Sequence, residues 1–525
     1  MFTSLRRLDE RPAEADVLVV GSGPGGLALA TELRRRGAEV LLLESGGRRS
    51  VLHPLNEVLT TGLPFPGGRT GRARGFGGTG QLWAGGCLPL EDSDVVGRPW
   101  VPGSAWPVPL DEFRRWQDQA TRFFAIPTAT FGPDDVTDDV ATCLDGSGME
   151  FRVLHHSPRF RVGDHLRRSV ADDPGITVVL GGTAVEVLED GDRVTGVRAR
   201  DLSGAERVLR ARATVLACGA LENARLLLGS GAAPGGLGNH AGLLGAGLQD
   251  HPYWYLGEVL PPSGRLATFF QVRRVGDHRV RPKLMLSPAV QQDRGLLGAL
   301  ADLQVVHGPH SPVGALKRVT DALGQRRRPP ALGHEVAQVL AGPGPLVREL
   351  RHRRRGAAAP LDHHSRLLLR VQTEQPPLGD SHLRLSPRRD ALGARRLEVH
   401  WTVGAAECAA ATETARRVAA QAEAGGLARV RLVDWLEDPS AFRRAAADYN
   451  HHAGTTRMAA DPAEGVVDPD CAVYGSPGLY LVGGSVFPSS GVANPTLTIV
   501  ALALRLAAFL AGDRHAAASG PGADV

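Results

Sequence analysis

The chain is poor in the residues that staple, metallate or span. Its five cysteines, Cys87, Cys143, Cys218, Cys408 and Cys471, lie far apart and form no C-x-x-C pair. That excludes a disulfide framework and a cysteine zinc site, and it fits a reduced cytoplasm. Long apolar runs are also missing. The longest, from Leu497 to Leu510, contains Arg505 and falls short of the roughly 20 residues that a bilayer span needs, so a buried helix is expected there. The first residues place acids ahead of a short apolar run, the reverse of a secretory signal. A cytoplasmic protein without stable membrane insertion is therefore expected. Lysine is nearly absent: two of the 60 basic residues, Lys283 and Lys317, are lysines and the rest are arginines. Against 56 acids the formal net charge is only +4, too small a surplus to suggest a nucleic-acid partner.

Glycine is in excess, with 65 of 525 residues against a usual share of about 7%. The composition, 42% hydrophobic and 22% charged, is globular, and the length exceeds what one core supports. Asp16 to Val20 is a short apolar run; a glycine turn from Gly21 to Gly26 follows; Leu27 to Arg36 has helical composition; Glu39 to Leu43 is a second apolar run that ends at Glu44. A strand, a G-x-G-x-x-G turn and a helix in this order form a dinucleotide-binding unit. Gly21 permits the tight turn, Gly23 lets a pyrophosphate reach the backbone beside Ser22, and Gly26 lets the helix close on the sheet. Glu44 stands where the adenosine ribose hydroxyls are expected, and an acid there argues against a 2′-phosphate. Nothing in this unit chooses between NAD and FAD.

A second glycine-rich stretch, from Arg74 to Gly86, is too rich in glycine for a regular helix or strand and is expected to be a loop shaped around a ligand. Residues 175–227 return to a sheet, with a hairpin at Asp190-Gly191. From about 251 to 436 the pattern shifts to longer β runs that contain aromatics, interrupted by a basic segment. Residues 317–355 of that segment carry ten Arg and Lys against three Asp and Glu. It is expected to be a solvated insertion, with a partner or lipid contact as the sharper alternative. A frayed tail is expected from Gly512 to Val525.

The glycine turn, the Arg74–Gly86 loop, the Gly245-Ala-Gly-Leu-Gln-Asp-His-Pro252 stretch and the C-terminal segment together resemble the glucose-methanol-choline (GMC) family of flavin oxidoreductases, most closely its sugar and polyol branch. The C-terminal match is specific in both type and spacing: His451 lies three residues before Gly454-Thr455, and Asn494 opens the final helix 43 residues after it. The resemblance implies an α/β Rossmann-like FAD-binding part (the GMC fold) from residues 1–95, 165–250 and 445–525. It implies a substrate part on a mainly antiparallel sheet with flanking helices from 96–164 and 251–444, with a basic insertion at 310–356. It implies that Gly77, Gly78, Thr79 and Trp83 run along the flavin, and that Ala184, Gly219, Gly484, Ser485, Asn494 and Thr496 complete the cofactor contacts. Some sugar-oxidising members bond FAD covalently through a histidine of this loop; the matching residue here is Leu82, so non-covalent FAD is expected. The Asp250-His251 pair is expected to close the dinucleotide-binding part rather than to act in catalysis, and Cys218 to be a small buried residue there.

Oxidising an alcohol requires loss of the hydroxyl proton as hydride leaves carbon, and an imidazole suits the first task. His451 is the expected base, Asn494 the donor to the developing alkoxide, and His452 either a substrate contact or a structural hydrogen-bonding group. No metal is expected. The substrate is expected to be a sugar, aminosugar or pseudosugar hydroxyl, including the primary hydroxyl of an aminoglycoside precursor in secondary metabolism. An acid-lined pocket would favour such a polycation. Alternatives are a sterol or simple-alcohol GMC enzyme, a flavin monooxygenase, an NAD-linked dehydrogenase and a non-catalytic flavoprotein. The electron acceptor, dioxygen or a carrier, is left open.

Overall fold

The computed structural model describes the chain except for residues 9–14, 50, 127–130, 133–138, 145, 147, 233–234, 325–330, 345, 348–360, 362–363 and 513–525. The expected tail beyond Gly512 and much of the basic insertion lie outside the described residues. Within the insertion lie helices α2 (Pro312–Gly324) and α3 (Leu332–Ala341).

Strands β1 (Phe2–Ser4), β2 (Ala15–Val20), β3 (Val40–Glu44), β7 (Ile176–Leu180), β8 (Thr183–Asp190), β9 (Arg193–Arg200), β10 (Glu206–Leu216) and β19 (Leu479–Leu481) form the first sheet. Its order is β1-β7-β3-β2-β10-β9-β8, with β19 added beside β10. β10 changes partners midway. Its first half pairs antiparallel with β9, continuing the Asp190-Gly191 hairpin, and its second half pairs parallel with β2 and β19. The parallel strands are covered on both faces, and β3 is buried at every residue, as continuous apolar runs require.

Helix α1 (Pro24–Arg35) starts inside the glycine turn, with Pro24 at its first position, where a missing N–H costs nothing. It crosses the last helix, α5 (Pro495–Leu510). The two approach closely because Gly25 has no side chain: a Cβ there would lie 2.9 Å from Ile499 Cγ2. The C-terminal apolar run is therefore a buried helix, and among the described residues no helix is long and apolar enough to cross a membrane.

The second sheet is antiparallel and ordered β18-β11-β15-β14-β13-β6-β5. Its strands are β5 (Gly86–Cys87), β6 (Met149–His156), β11 (Tyr253–Leu260), β13 (His278–Leu286), β14 (Ala299–His307), β15 (Ser365–Thr373) and β18 (Arg429–Leu432), with β12 (Arg273–Val275) at the side of β13. One face carries Leu367, Leu369 and Val371, all fully buried, with helix α4 (Ala405–Ala424) lying against it. The other face is the polar roof described below. A third sheet joins β16 (His382–Arg389), β17 (Arg395–Trp401) and β4 (Leu59–Gly62). β4 and β5 both come from residues 1–95, yet they pair with strands from the expected substrate part, because a two- to four-residue strand is placed by its partner rather than by its own pattern.

Candidate active site

A cavity of about 1170 Å³ begins where β2 and β3 end, the usual ligand position in an open parallel sheet, and extends beneath the antiparallel sheet. It exceeds what one small ligand fills, about 300–1000 Å³, so it has room for a cofactor and a substrate together.

The first end is a backbone cradle. Gly21 has φ +105°, and a Cβ there would lie 2.6 Å from the Ala217 carbonyl oxygen. A Cβ on Gly26 would overlap the Gly21 carbonyl, whereas one on Gly23 would meet nothing within 4 Å. Turn, close packing and an open side facing the cavity are thus divided among three glycines, as an approaching pyrophosphate requires. Glu44 is buried, and it holds the cradle together. One oxygen accepts from Ser22 N (3.0 Å) and Ser22 Oγ (2.6 Å), the other from Gly46 N and Gly75 N (both 2.9 Å). Four protein donors occupy this carboxylate, so a ribose hydroxyl would replace one of them. Of the sequence-predicted cofactor positions, Gly21, Ser22, Gly23, Glu44, Gly78, Thr79, Trp83, Ala184, Gly219, Gly484, Asn494 and Thr496 line the cavity. Gly26, Gly77 and Ser485 do not; they pack behind it, and Ser485 Oγ accepts from Asn223 Nδ2 at 3.0 Å. The Gly77–Gly86 loop contains a short 3₁₀ turn at Gly78–Gln81, entered through Gly77 at φ +95°. Cys218 is held as a thiol, pushed up to about 12 by burial.

Sequence reasoning missed the charges at this end. Arg72, Arg74 and Arg225 contact Glu222 at 2.7, 3.2 and 2.7 Å, and all four residues line the cavity. Burial opposes ionisation of Glu222, but the three guanidiniums outweigh it and hold the carboxyl well below its usual range.

The catalytic end is built by three chain segments. Asn494 precedes Pro495 at the start of α5, and its Nδ2 lies 3.3 Å from His451 Nε2. On the other side of the imidazole, His451 Nδ1 lies 2.8 Å from His251 Nδ1, and His251 Nε2 lies 2.8 Å from the Gly491 carbonyl oxygen. A carbonyl only accepts, so His251 carries its proton on Nε2. Burial holds His251 neutral, down to about 4, and its Nδ1 must then accept from His451 Nδ1–H. Burial, followed by the neighbouring His251 and His452, holds His451 neutral well below its ordinary value. Its Nε2 is left unprotonated on the cavity wall, where its lone pair accepts from Asn494 Nδ2. Asp250 anchors the pair from behind: one carboxylate oxygen accepts from the backbone N–H of His251 (2.6 Å) and of His451 (2.9 Å). The Asp250-His251 stretch thus directly contacts the predicted base, a proximity that no local signal discloses because 200 residues separate the two histidines.

His452 also lines the cavity but turns away from Asn494. Its ring packs against Phe65 at 5.0 Å, and its Nε2 lies 3.7 Å from Asp250 Oδ2. Neither atom has a hydrogen-bond partner among the described residues. With Asp448 these two residues bring three potential ligand atoms within 4.8 Å of one another. Burial raises Asp250 to about 7, helped by the Asp448 charge, and lowers His452 to about 3. The group favours its uncharged forms.

Above this site lies the polar face of the second sheet. Residues paired directly across antiparallel strands share a face. The register Lys283↔Arg152, Arg281↔Leu154 and Asp302↔Arg370 therefore puts these side chains on one side, and the Leu284↔Ala301 register sets Lys283 opposite Asp302. Arg281, Lys283 and His156 line the cavity. The i, i+2 spacing of Arg279, Arg281 and Lys283 along one β run was the available signal for this basic face. The acids among the described lining residues, Glu44 and Glu222, both lie at the nucleotide end.

Family models described as GMC oxidoreductase match residues 133–253 and 377–503, and a model described as FAD binding domain matches residues 14–53. Paromamine 6′-oxidase of Streptomyces fradiae is 27% identical over 96% of this chain and 93% of its own length. 6‴-Hydroxyparomomycin C oxidase of Streptomyces lividus is 26% identical over 95% and 93%. Among solved structures, pyridoxine 4-oxidase from Mesorbium loti superimposes with a TM-score of 0.56 at 19% identity, covering 94% of this chain and 98% of that one. Formate oxidase of Aspergillus oryzae does so with a TM-score of 0.57 at 15% identity, covering 96% and 99%. The glycine cradle, the antiparallel roof and these matches lead to one assignment: the chain belongs to the GMC oxidoreductase family and is an FAD-dependent alcohol oxidoreductase.

Proposed function

We propose that this enzyme oxidises a hydroxyl on a sugar, aminosugar or pseudosugar to a carbonyl, with His451 as general base. The observation that carries the base assignment is the Gly491–His251–His451 hydrogen-bond chain, which leaves His451 Nε2 unprotonated and beside Asn494. Bound FAD supplies the acceptor for the hydride that leaves the carbinol carbon. His451 Nε2 takes the hydroxyl proton, and the Asn494 amide, which otherwise donates to Nε2, turns to the oxygen as negative charge builds on it. Asp250 and His251 orient His451 and move no proton. We assign His452 no proton step, because its free nitrogen faces Asp250.

The glycine cradle and the cavity-lining positions named above are the proposed FAD contacts, and the partition at residues 1–95, 165–250 and 445–525 is the proposed FAD-binding part. Leu82 stands half-exposed on the cavity wall with no nucleophilic atom, so FAD is held without a covalent bond and leaves the polypeptide on acid denaturation. The names of the two Streptomyces relatives support an aminosugar hydroxyl, the aminoglycoside-precursor reading among them.

Anaerobic bleaching of the flavin by a panel of sugars, aminosugars, polyols, sterols and aliphatic alcohols tests the proposal. Bleaching by sugar-class alcohols, lost in His451→Ala with FAD content unchanged, is expected. Near-normal bleaching by that variant would remove His451 as the base, and bleaching by sterols alone would remove the sugar class.

A further inference from the structure

We propose that the oxidised alcohol also carries an anionic group, a carboxylate or a phosphate, which docks on Arg281 and Lys283 at the roof of the cavity. The inference rests on the cavity being the alcohol-oxidising site and adds the class of its substrate.

Arg152 on this face is answered by Glu91 and Glu150, but the cluster around Asp302 holds more cations than acids. Asp302 Oδ2 takes Lys283 Nζ, Arg281 at 3.2 Å and Arg370 at 2.8 Å, while Oδ1 takes Arg370 Nε at 3.1 Å and Gln304 Nε2 at 2.8 Å. One carboxylate therefore answers three cations. It is also saturated: five donors fill it, so it cannot receive the ammonium group of a substrate. The side chains of Lys283 and Arg281 are only 7% and 19% exposed, so their charges face the cavity rather than bulk water. Buried charge without a counter-ion is unfavourable, and a ligand anion would supply the missing one. A charge-assisted contact to Arg or Lys is the strong kind of hydrogen bond.

Residue choice supports this position. In a chain that uses arginine almost everywhere, one of its two lysines stands here. An ammonium group is a compact charge that adjusts its protonation to its surroundings, which a guanidinium does not. Two further lining groups suit the hydroxylated body of such a ligand. His156 donates from Nδ1 to the Ala84 carbonyl oxygen at 3.1 Å, which leaves its Nε2 as an acceptor, and among the described residues neither His156 Nε2 nor Trp83 Nε1 has a partner. One acceptor and one donor near two cations fit a polyhydroxylated anion. A polycation would meet the same two cations without an acid among the described lining residues at that end, so among the sugar-class substrates proposed above the roof selects an anion-bearing one over a polycationic aminoglycoside precursor.

The test is equilibrium binding to the FAD-loaded protein, followed by flavin difference spectra at constant ionic strength, with glucose, glucosamine, glucuronate and glucose 1-phosphate as probes. At least one anion should bind about tenfold more tightly than glucose. The ratio of anion to glucose affinity should fall to about one in Lys283→Met and in Arg281→Met. Glucuronate alone or glucose 1-phosphate alone showing the advantage identifies the anionic group as carboxylate or phosphate. Glucose or glucosamine binding as tightly as both anions would overturn the proposal, and so would saturable binding by none of the four. Should a variant lose its flavin, the four wild-type titrations still decide. Flavin bleaching by alcohols without an anion advantage leaves the oxidation standing and removes this inference; an anion advantage without bleaching by any alcohol removes the oxidation and leaves only an anion-binding roof.

Discussion

Two buried carboxylates, one at each end of the same cavity, are built alike: Glu222 against Arg72, Arg74 and Arg225, and Asp302 against Arg281, Lys283 and Arg370. Each leaves positive charge in excess. At the first end the excess lies on the same cavity wall as the glycine cradle proposed to hold the FAD pyrophosphate. The difference lies in one residue. The Glu222 cage is all arginine and stays charged at any working pH, as suits a resident cofactor of fixed charge. The Asp302 cage contains a lysine that burial, opposed by Asp302, lowers to about 7, as suits a ligand that comes and goes. Between the two cages His451 is kept free of charge.

The comparison makes the two ends separable, and His451→Ala is the strongest way to test that. Removing a general base costs about 10²- to 10⁴-fold in kcat, while FAD content, read from absorbance, should not change. Next, Glu222→Gln leaves three buried guanidiniums uncompensated. Breaking a buried ion pair from one side costs about 3–5 kcal/mol, so the thermal midpoint and FAD retention should both fall. A variant with wild-type stability would show that the nucleotide-end cage is not needed in the free protein. His251→Gln should have a smaller effect, about tenfold in kcat with KM unchanged, because it loosens the tautomer of His451 without removing the base. Its distinguishing sign is in the pH profile. Since burial depresses the His451 pKa, the free imidazole persists below pH 6.5, and wild-type kcat/KM for a neutral substrate analogue should stay level across neutral pH. The variant's acid limb should move upward, which a merely structural defect would not cause.

The two ends were not equally legible in the sequence. The glycine cradle was readable because its parts are consecutive: strand, Gly21 to Gly26, helix and Glu44 act within one short segment, and each glycine answers a separate steric demand. His451 and Asn494 were readable through a paired spacing. The cages were not readable. Arg281 and Lys283 reach Asp302 and Arg370 only through antiparallel registers set by loops that no pattern specifies, and a chain-wide charge of +4 conceals a local excess. The same holds for His251, whose Asp-His-Pro stretch gives no local sign that its imidazole meets His451. Short strands such as β4 and β5 took their sheet from their partners, so the domain partition drawn along the sequence could not anticipate them.

The smallest expected effect bears on the one residue that distinguishes the cages. Lys283 faces Asp302 on β14, Arg370 on β15, Arg281 on its own strand, Arg152 (itself paired with Glu91 and Glu150) and His156 on β6, and His451 from the C-terminal segment. Burial lowers its pKa to about 7, against the pull of Asp302. A docked anion favours the charged form, so its binding raises this pKa and takes up a proton. The sign follows from that linkage: below about pH 7 the lysine is already charged and anion affinity is at its maximum, and as pH rises above 7 charging it takes a growing share of the binding energy. KM for an anionic substrate should therefore climb by up to about tenfold per pH unit above 7 until the pKa of the complex is reached, while KM for a neutral analogue stays flat. Lys283→Arg, permanently charged, should flatten the anion profile and make the roof cage behave like the one around Glu222. A variant profile that still climbs would place the titrating group elsewhere and leave the two cages different for some reason other than Lys283.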